Sequence, residues 1–432
     1  MALPNLNSVK IVIVGLGYVG LPLATRLAGH FQIVCFDVDL LRISQLQSGH
    51  DRTYECTTDE LAAANLTLTS DPAQIKDADV YIVTVPTPVD VSNKPDLGAV
   101  LLASGVVGSS LKKNAIVVFE STVYPGVTEN ICGPALEDAS GMISGVDFYL
   151  GYSPERINPG DKLRTVDQIT KVVAGQTPEV SAFLMRLYGK LTNGNVFQAK
   201  DIKTAEAAKV IENAQRDINI AFINEVSMIF SQMGIQTQDV LEAARTKWNF
   251  LNFTPGLVGG HCIGIDPYYL AHAARELGHH PEVVLAGRKI NDDMAAFLTR
   301  QVNQQLEKSQ MGGNPARILV LGLTFKENVP DLRNSKVFDF IRGLRNLGHS
   351  VDVHDPLANS AEAKRLYGCD LLDSLEEAIG YDCLVGAVPH EQYLTLDTFD
   401  IARILKVGGL LADFKGIWRG LEKPDHFTRW EL

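Results

Sequence analysis

Residues 9–20 read Val-Lys-Ile-Val-Ile-Val-Gly-Leu-Gly-Tyr-Val-Gly. The first six form an apolar run that stops at Gly15, as a buried parallel strand does. Gly15, Gly17 and Gly20 then fall in the G-x-G-x-x-G spacing and open a helix expected over residues 20–28. Such glycines give a tight turn, close approach for a pyrophosphate and close helix–strand packing, while the helix N-terminus attracts the anion. A second expected strand, residues 32–36, ends at Asp37, where a carboxylate binds ribose hydroxyls and repels a 2′-phosphate. Gly15, Leu16, Gly17, Tyr18, Val19, Gly20 and Asp37 are therefore the candidate dinucleotide contacts. Arg42 stands beside them, but Asp37 favours NAD over NADP. A purely structural glycine turn is the bland alternative; strand, helix and acid all in place argue against it.

The pattern continues outward from that stretch. Further strands are expected at 80–85 and 115–119, alternating with helices, which indicates a doubly wound α/β sheet. From Thr204 to Met233 the period changes. Ala207, Ile211, Ala214, Ile218, Phe222, Val226, Ile229 and Met233 recur at steps of three or four, and Gly234 is a suitable stop. More helix follows to about Leu306, interrupted by the Pro/Gly-rich loop 254–267, and the apolar stripe is a candidate subunit contact. Residues 310–315 read as a linker. Strands are then expected at 318–321, 350–354, 383–388 and 409–413, with a helix near 335–347. Gly322 is not followed by glycines two and five residues later, so this domain lacks the fingerprint. The expected fold is α/β: two Rossmann-like doubly wound domains, 1–203 and 310–432, joined by a long helix and an all-helical central domain, 204–309.

Composition bounds the function. The chain has 432 residues, 46% hydrophobic and 21% charged, so it reads as soluble and multidomain. A formal net charge of −12 argues against nucleic acid, which needs a basic face. No signal peptide and no run of about 20 apolar residues is evident, so neither export nor membrane insertion is expected. The six cysteines show no C-x-x-C pairing and fit free thiols in a reducing cytoplasm.

One of them stands apart. Residues 259–267 read Gly-Gly-His-Cys-Ile-Gly-Ile-Asp-Pro, just before a helix. The paired glycines are read as leaving room for a substrate beside Cys262, so Gly259 is a candidate substrate contact. The helix start favours thiolate. A lone cysteine is usually a small buried hydrophobe, and Asp266 can be simply an N-cap. A thiol near a nicotinamide, however, lets oxidation pass beyond the aldehyde, because the thiohemiacetal carries a second hydride to lose. His261 and Cys262 are adjacent and cannot easily share one ion, so no metal is expected.

Lys209 and Asn213 lie i, i+4 on one helix face, either a solvated face or a pair that holds an oxyanion or sugar hydroxyl. Two proline-bearing loops follow first-domain strands, where ligands sit in this architecture. They make Thr87 and Thr122 candidate cofactor contacts, and Thr122 is also grouped with the catalytic candidates. In the loop 152–160, Glu155 is a candidate water activator and Arg156 a candidate substrate contact.

Taken in order, GLGYVG, VPTP, STVYPG, SPER, AKVIEN, GGHC…DP and Gly322-Leu-Thr-Phe-Lys326-Glu-Asn…Arg333 resemble the UDP-glucose/GDP-mannose dehydrogenase family over nearly the whole chain. The resemblance implies two-NAD oxidation of a nucleotide sugar's C6 alcohol to the carboxylate. It also implies an NAD domain, a helical dimerising middle and a C-terminal UDP-sugar domain. By position, Cys262 is the nucleophile and Lys209 and Asn213 line the oxyanion and sugar site. Asp266 assists proton transfer, Glu155 the hydrolytic step, Lys326 contacts substrate and Arg333 the cofactor. The family's basic residue upstream of the cysteine loop falls near Thr246, which leaves Arg245 and Lys247 as phosphate candidates.

Ile265 stands where UDP-glucose enzymes usually carry lysine. The loop variants are similar to the branch acting on UDP-N-acetylhexosamines, UDP-GlcNAc or UDP-GalNAc, for surface polysaccharide precursors. UDP-glucose and UDP-ManNAc are the alternatives within the class. A two-electron hydroxyacid dehydrogenase would need neither the cysteine loop nor the second α/β lobe. A catalytically idle NAD and nucleotide-sugar scaffold would not need the intact set Cys262, Lys209, Asn213 and Asp266.

Overall fold

The computed structural model describes residues 3–90, 92–156, 165–260, 263–309, 315–422 and 427–432. The chain divides into two compact units. One comprises Met1–Glu212 with Tyr268–His280, the other Asn213–Pro267 with Pro281–Leu432.

The first unit is built on a sheet of β1 (Lys10–Val14), β2 (Gln32–Phe36), β3 (Leu66–Thr69), β4 (Val80–Val83), β5 (Ile116–Phe119), β6 (Tyr149–Tyr152), β7 (Lys171–Gly175) and β8 (Val196–Gln198). Their spatial order is 3-2-1-4-5-6-7-8. Strands 3 to 6 run in parallel in the doubly wound order, with Val14 beside Phe36 and Val83. β7 joins β6 antiparallel, and β8 lies parallel to β7. Both faces of the sheet are covered, which explains the near-continuous apolar strands. Val12, Val14, Tyr81 and Val83 face one core, and Ile11, Ile13, Val80 and Ile82 the other. The strands β3 and β6 to β8 lie outside the sequence expectation, because segments such as Leu-Thr-Leu-Thr and Tyr-Leu-Gly-Tyr lack the continuous apolar run that marks β1, β4 and β5.

The second unit carries a parallel sheet of β9 (Arg317–Leu321), β10 (Ser350–His354), β11 (Tyr381–Gly386), β12 (Leu405–Asp413) and β13 (Phe427–Glu431) in the order 10-9-11-12-13. The strand order reverses between β9 and β11, so the crevice for a ligand opens at their carboxyl ends. Ile318 and Val320 face one core while Leu319 and Leu321 face the other. The expected second doubly wound lobe is therefore present.

The long helix spans Ile202–Met233, and Gly234 behind it takes a positive φ of 71°. Helices Thr237–Arg245 and Glu282–Lys308 continue the helical middle, and Asp266–Glu276 follows the cysteine loop. Among the described residues no helix is long and apolar enough to cross a membrane.

Candidate functional site

The fingerprint has the geometry its residue types require. Gly15 sits at φ 95°, closing the turn after β1. A Cβ on Gly20 would lie 1.9 Å from the Gly15 carbonyl oxygen and 2.4 Å from Thr84 Oγ1, so this glycine is needed for helix–strand contact. A Cβ on Gly17 would meet no protein atom within 4 Å, which is the open space a pyrophosphate needs. Leu16 is buried and donates its backbone N–H to Asp37 Oδ2 at 2.7 Å, while Asp39 N–H binds Asp37 Oδ1 at 2.9 Å. Asp37 remains half-buried, with acceptor capacity for ribose hydroxyls. Tyr18 and Val19, also half-buried, lead into the helix Gly20–Leu27. Arg42 is fully buried, its Nε donating to Leu16 O at 2.8 Å and its NH1 pairing with Asp51 at 2.8 Å. The guanidinium thus holds the glycine turn from below.

The loops after β4 and β5 converge. Ser121 Oγ donates to Val85 O at 2.6 Å, tying the segment that bears buried Thr87 to the one that bears half-buried Thr122. Glu206 on the long helix accepts the backbone N–H groups of Gly126 and Thr128 at 2.5 and 2.9 Å. Burial pushes the Glu206 carboxyl up to about 7 despite those two bonds.

Beneath them lies a buried charge network with no motif of its own in the sequence. Lys171 Nζ, on β7, donates to Glu120 at 2.5 Å and lies 3.8 Å from Glu155 Oε2. Tyr188 OH also donates to Glu120, at 2.5 Å. Burial pushes the Glu120 carboxyl up, Lys171 opposing it; burial also acts to lower Lys171, but the charges of Glu120 and Glu155 hold it above the ordinary lysine range. Arg156 pairs with Glu212 at 2.8 Å and donates to Thr170 O at 2.9 Å, so it anchors the Ser-Pro-Glu-Arg segment.

Lys209 and Asn213 are both buried, one turn apart on the long helix, which removes the solvated-face reading. Asn213 Nδ2 donates to Asp266 Oδ2 at 2.5 Å, so the amide fixes the carboxylate at the start of the helix Asp266–Glu276. Ile265 beside it is buried. His261 and Cys262 lie outside the described residues.

The glycines that flank them serve a different purpose from the one expected. A Cβ on Gly259 would fall 2.6 Å from Asn334 O, and one on Gly260 2.6 Å from the Phe325 ring. Asn334 Nδ2 also donates to Gly260 O at 3.0 Å. The two glycines let Phe325 and Asn334 pack against this backbone, so the room they leave is filled by protein, not by substrate. The Gly259 and Gly260 backbone is thereby seated on the loop that carries Lys326 and Arg333. Arg333 holds a bidentate pair with Asp331, with Nε at 2.9 and 3.0 Å from its two oxygens. Arg245 ends the helix Thr237–Arg245, and Lys247 is exposed just beyond it.

Two polar groups of the second unit were not singled out from sequence. Lys415, at the end of β12, donates to Pro255 O at 3.0 Å, and burial lowers its pKa, with Glu327 opposing. Asp355 and His390 form a second network. Asp355 ends β10 as Asp37 ends β2, and that echo was the signal available to find it.

The comparisons agree with this arrangement along the chain. Residues 9–192 match the NAD binding domain of the UDP-glucose/GDP-mannose dehydrogenase family, 203–293 its central domain and 319–420 its UDP binding domain. The chain is 51% identical to Protein CapL of Staphylococcus aureus, covering 98% of this chain and 99% of that one. It is 47% identical to the UDP-N-acetyl-D-glucosamine 6-dehydrogenase of Pseudomonas aeruginosa, covering 95% and 97%. A solved UDP-D-ManNAc dehydrogenase from Pyrococcus horikoshii superposes with a TM-score of 0.87 at 30% identity, covering 98% of each chain. With all three of its domains matched in order, the chain belongs to the UDP-glucose/GDP-mannose dehydrogenase family and is an NAD-dependent nucleotide-sugar dehydrogenase.

Proposed function

We propose that the chain oxidises the C6 alcohol of a UDP-N-acetylhexosamine, UDP-GlcNAc in the first place, to the uronate for a surface polysaccharide precursor. The observation that carries this choice is the 47% identity to a UDP-GlcNAc 6-dehydrogenase, against 30% to the solved UDP-ManNAc enzyme. Buried Ile265, where UDP-glucose enzymes place a lysine, supports the same reading. Residues 1–203 bind NAD, 204–309 form the helical middle and 310–432 bind the UDP-sugar.

NAD, when bound, accepts one hydride in each of two oxidations. The fingerprint turn and Asp37 hold it, with Thr87, Thr122 and Arg333 as further contacts. Asp266 or Lys209, through a water, takes the C6 hydroxyl proton in the first oxidation. Cys262 thiolate then adds to the aldehyde carbon, giving a thiohemiacetal. Lys209 and Asn213 stabilise the oxyanion, an effect of about 3–4 kcal/mol per well-placed donor in other enzymes. Loss of the second hydride leaves a thioester. A water activated by Glu155 or Asp266 attacks it, releasing the carboxylate and regenerating the thiolate. Asn213 holds Asp266 for these proton transfers. Arg156, Lys326 and Arg245 or Lys247 serve the sugar and its phosphates.

Ile211, Phe222, Ile229 and Met233 remain about half exposed or more along the long helix. This unpartnered stripe supports a homodimer or larger homo-oligomer through the middle segment. Cys35, Cys56, Cys132, Cys369 and Cys383 are free and buried, which fits a reducing cytoplasm.

An NADH assay across UDP-GlcNAc, UDP-GalNAc, UDP-ManNAc and UDP-glucose tests the substrate. The expected result is the highest kcat/KM for UDP-GlcNAc, with two NADH per sugar. Cys262→Ser should stall before acid release with at most one NADH per sugar. Sustained turnover at two NADH in that variant overturns the covalent route, and a preference for UDP-glucose overturns the substrate.

A further inference from the structure

The loop 322–335, which carries Lys326, has no helix or strand of its own. Tyr367 and Gly260 hold its far end, and around Lys326 the anchors come from the ends of two strands. Asp355, 6% exposed, accepts the backbone N–H groups of Leu323 and Thr324 at 2.6 and 2.9 Å. His390, 1% exposed, stands beyond β11 with Nε2 at 3.1 Å from Asp355 Oδ2 and 3.0 Å from Thr324 Oγ1. Thr324 Oγ1 in turn donates to the carbonyl of Lys326 itself, at 3.1 Å. On the far side of Lys326, the Asn328 N–H donates to His390 Nδ1 at 2.9 Å, and Asn328 takes a positive φ of 57°. Nδ1 faces a donor and is therefore the acceptor, which leaves Nε2 to face Asp355 and Thr324. One ring grips the segment on both sides of Lys326.

We propose that His390 is a positioning residue for nucleotide-sugar binding: through Thr324 and Asn328 it fixes the backbone that aims Lys326. The inference rests on the reading of Lys326 as a substrate contact. It predicts a specific kinetic split. His390→Ala leaves the Asn328 N–H and one Asp355 oxygen without their ring partner, and the KM for UDP-sugar rises about tenfold or more. The KM for NAD and the yield of two NADH per sugar stay unchanged, because the ring grips only residues 324–328, while Arg333 is held by its own pair with Asp331. His390→Asn puts an amide oxygen near the Nδ1 position and recovers most of the loss. Should His390→Ala fail to fold, Thr324→Val deletes only the hydroxyl between His390 and Lys326 O, and the sugar KM rises about threefold or more.

Lys326→Met run alongside separates the two claims. A normal sugar KM there removes the reading of the loop, and the inference with it. A raised KM in Lys326→Met with a normal KM in His390→Ala overturns the inference alone. Equal losses in NAD and sugar KM, or no recovery with asparagine, also overturn it.

Discussion

The two α/β lobes begin with the same turn and use it differently. After β1, Gly15 sits at φ 95° and donates to Phe36 O at 2.9 Å; after β9, Gly322 sits at φ 95° and donates to His354 O at 2.9 Å. In each, the next residue's N–H binds an aspartate at the end of the neighbouring strand, Asp37 or Asp355. From there they diverge. Gly17 and Gly20 of the first turn correspond to Thr324 and Glu327 of the second. The first chain segment enters a helix at Gly20, whose N-terminus suits a phosphate without side-chain charge. The second wanders through fourteen residues before its helix begins at Lys336, and offers Lys326 and Arg333 instead. Asp37 accepts from two backbone N–H groups and stays half-buried. Asp355 accepts from four, those of Leu323, Thr324, Leu357 and Ala358, as well as from His390. One acid keeps capacity for a ligand; the other is spent on organising a loop.

The glycine positions break this comparison most sharply. Gly20→Ala drives a methyl into the Gly15 carbonyl, a backbone atom that cannot step aside, and should cost about 3 kcal/mol. Gly17→Ala meets no protein atom, so thermal unfolding should stay within about 0.5 kcal/mol of the parent. Its NAD affinity, measured by calorimetry, should nevertheless fall about tenfold or more, because the space belongs to the pyrophosphate. Glu327→Ala, at the place of Gly20 in the second turn, should change neither quantity. Equal stability losses at Gly17 and Gly20 would show that the first turn is only structural.

The two aspartates come next. Asp355→Asn presents an amide N–H₂ to a cluster of backbone donors in a buried site and should cost about 2 kcal/mol. Affinity for NAD should not change. Asp37→Asn should do the reverse: little loss of stability, about tenfold weaker NAD binding and a narrower preference over NADP. If Asp37→Asn destabilises the chain as much as Asp355→Asn, the distinction between ligand acid and loop acid fails.

The same contrast explains what the sequence could disclose. The first lobe is legible because its turn is built from backbone. Three glycines at fixed spacing and one acid are written locally within residues 15–37. The strand ends, the long helix from 202 to 233 and the α/β class of the second lobe were legible for a similar reason, since each is a period. Lys171, Glu120 and Tyr188 were not, because they converge from β7, the end of β5 and the helix Pro178–Leu191. Nor was the pairing of His390 with Asn328, 62 residues apart. Gly259 and Gly260 show the complementary error. Small residues beside a reactive one read as room for substrate, while only the fold shows that Phe325 and Asn334 claim that room.

The last contrast concerns pH, and its sign differs between the lobes. Burial raises Glu206 of the first unit to about 7 from 4.5, so the folded state holds that proton more tightly than the unfolded chain. Its contribution is complete below about 4.5 and is lost as pH rises through about 7. Asp355 runs the other way. Burial works against its charge, but His390 and the backbone donors outweigh it and hold the carboxyl at about 2 against 3.8. That contribution is complete above about 3.8 and disappears as pH falls toward about 2. Hydrogen exchange reads both at the bonded amides. Protection factors at Gly126 and Thr128 should decline between about pH 4.5 and 7, and those at Leu323 and Thr324 between about pH 4 and 2. Glu206→Gln should flatten the first trend and leave the second untouched. A single trend shared by all four amides would mean that the lobes unfold as one unit and that neither carboxylate acts locally.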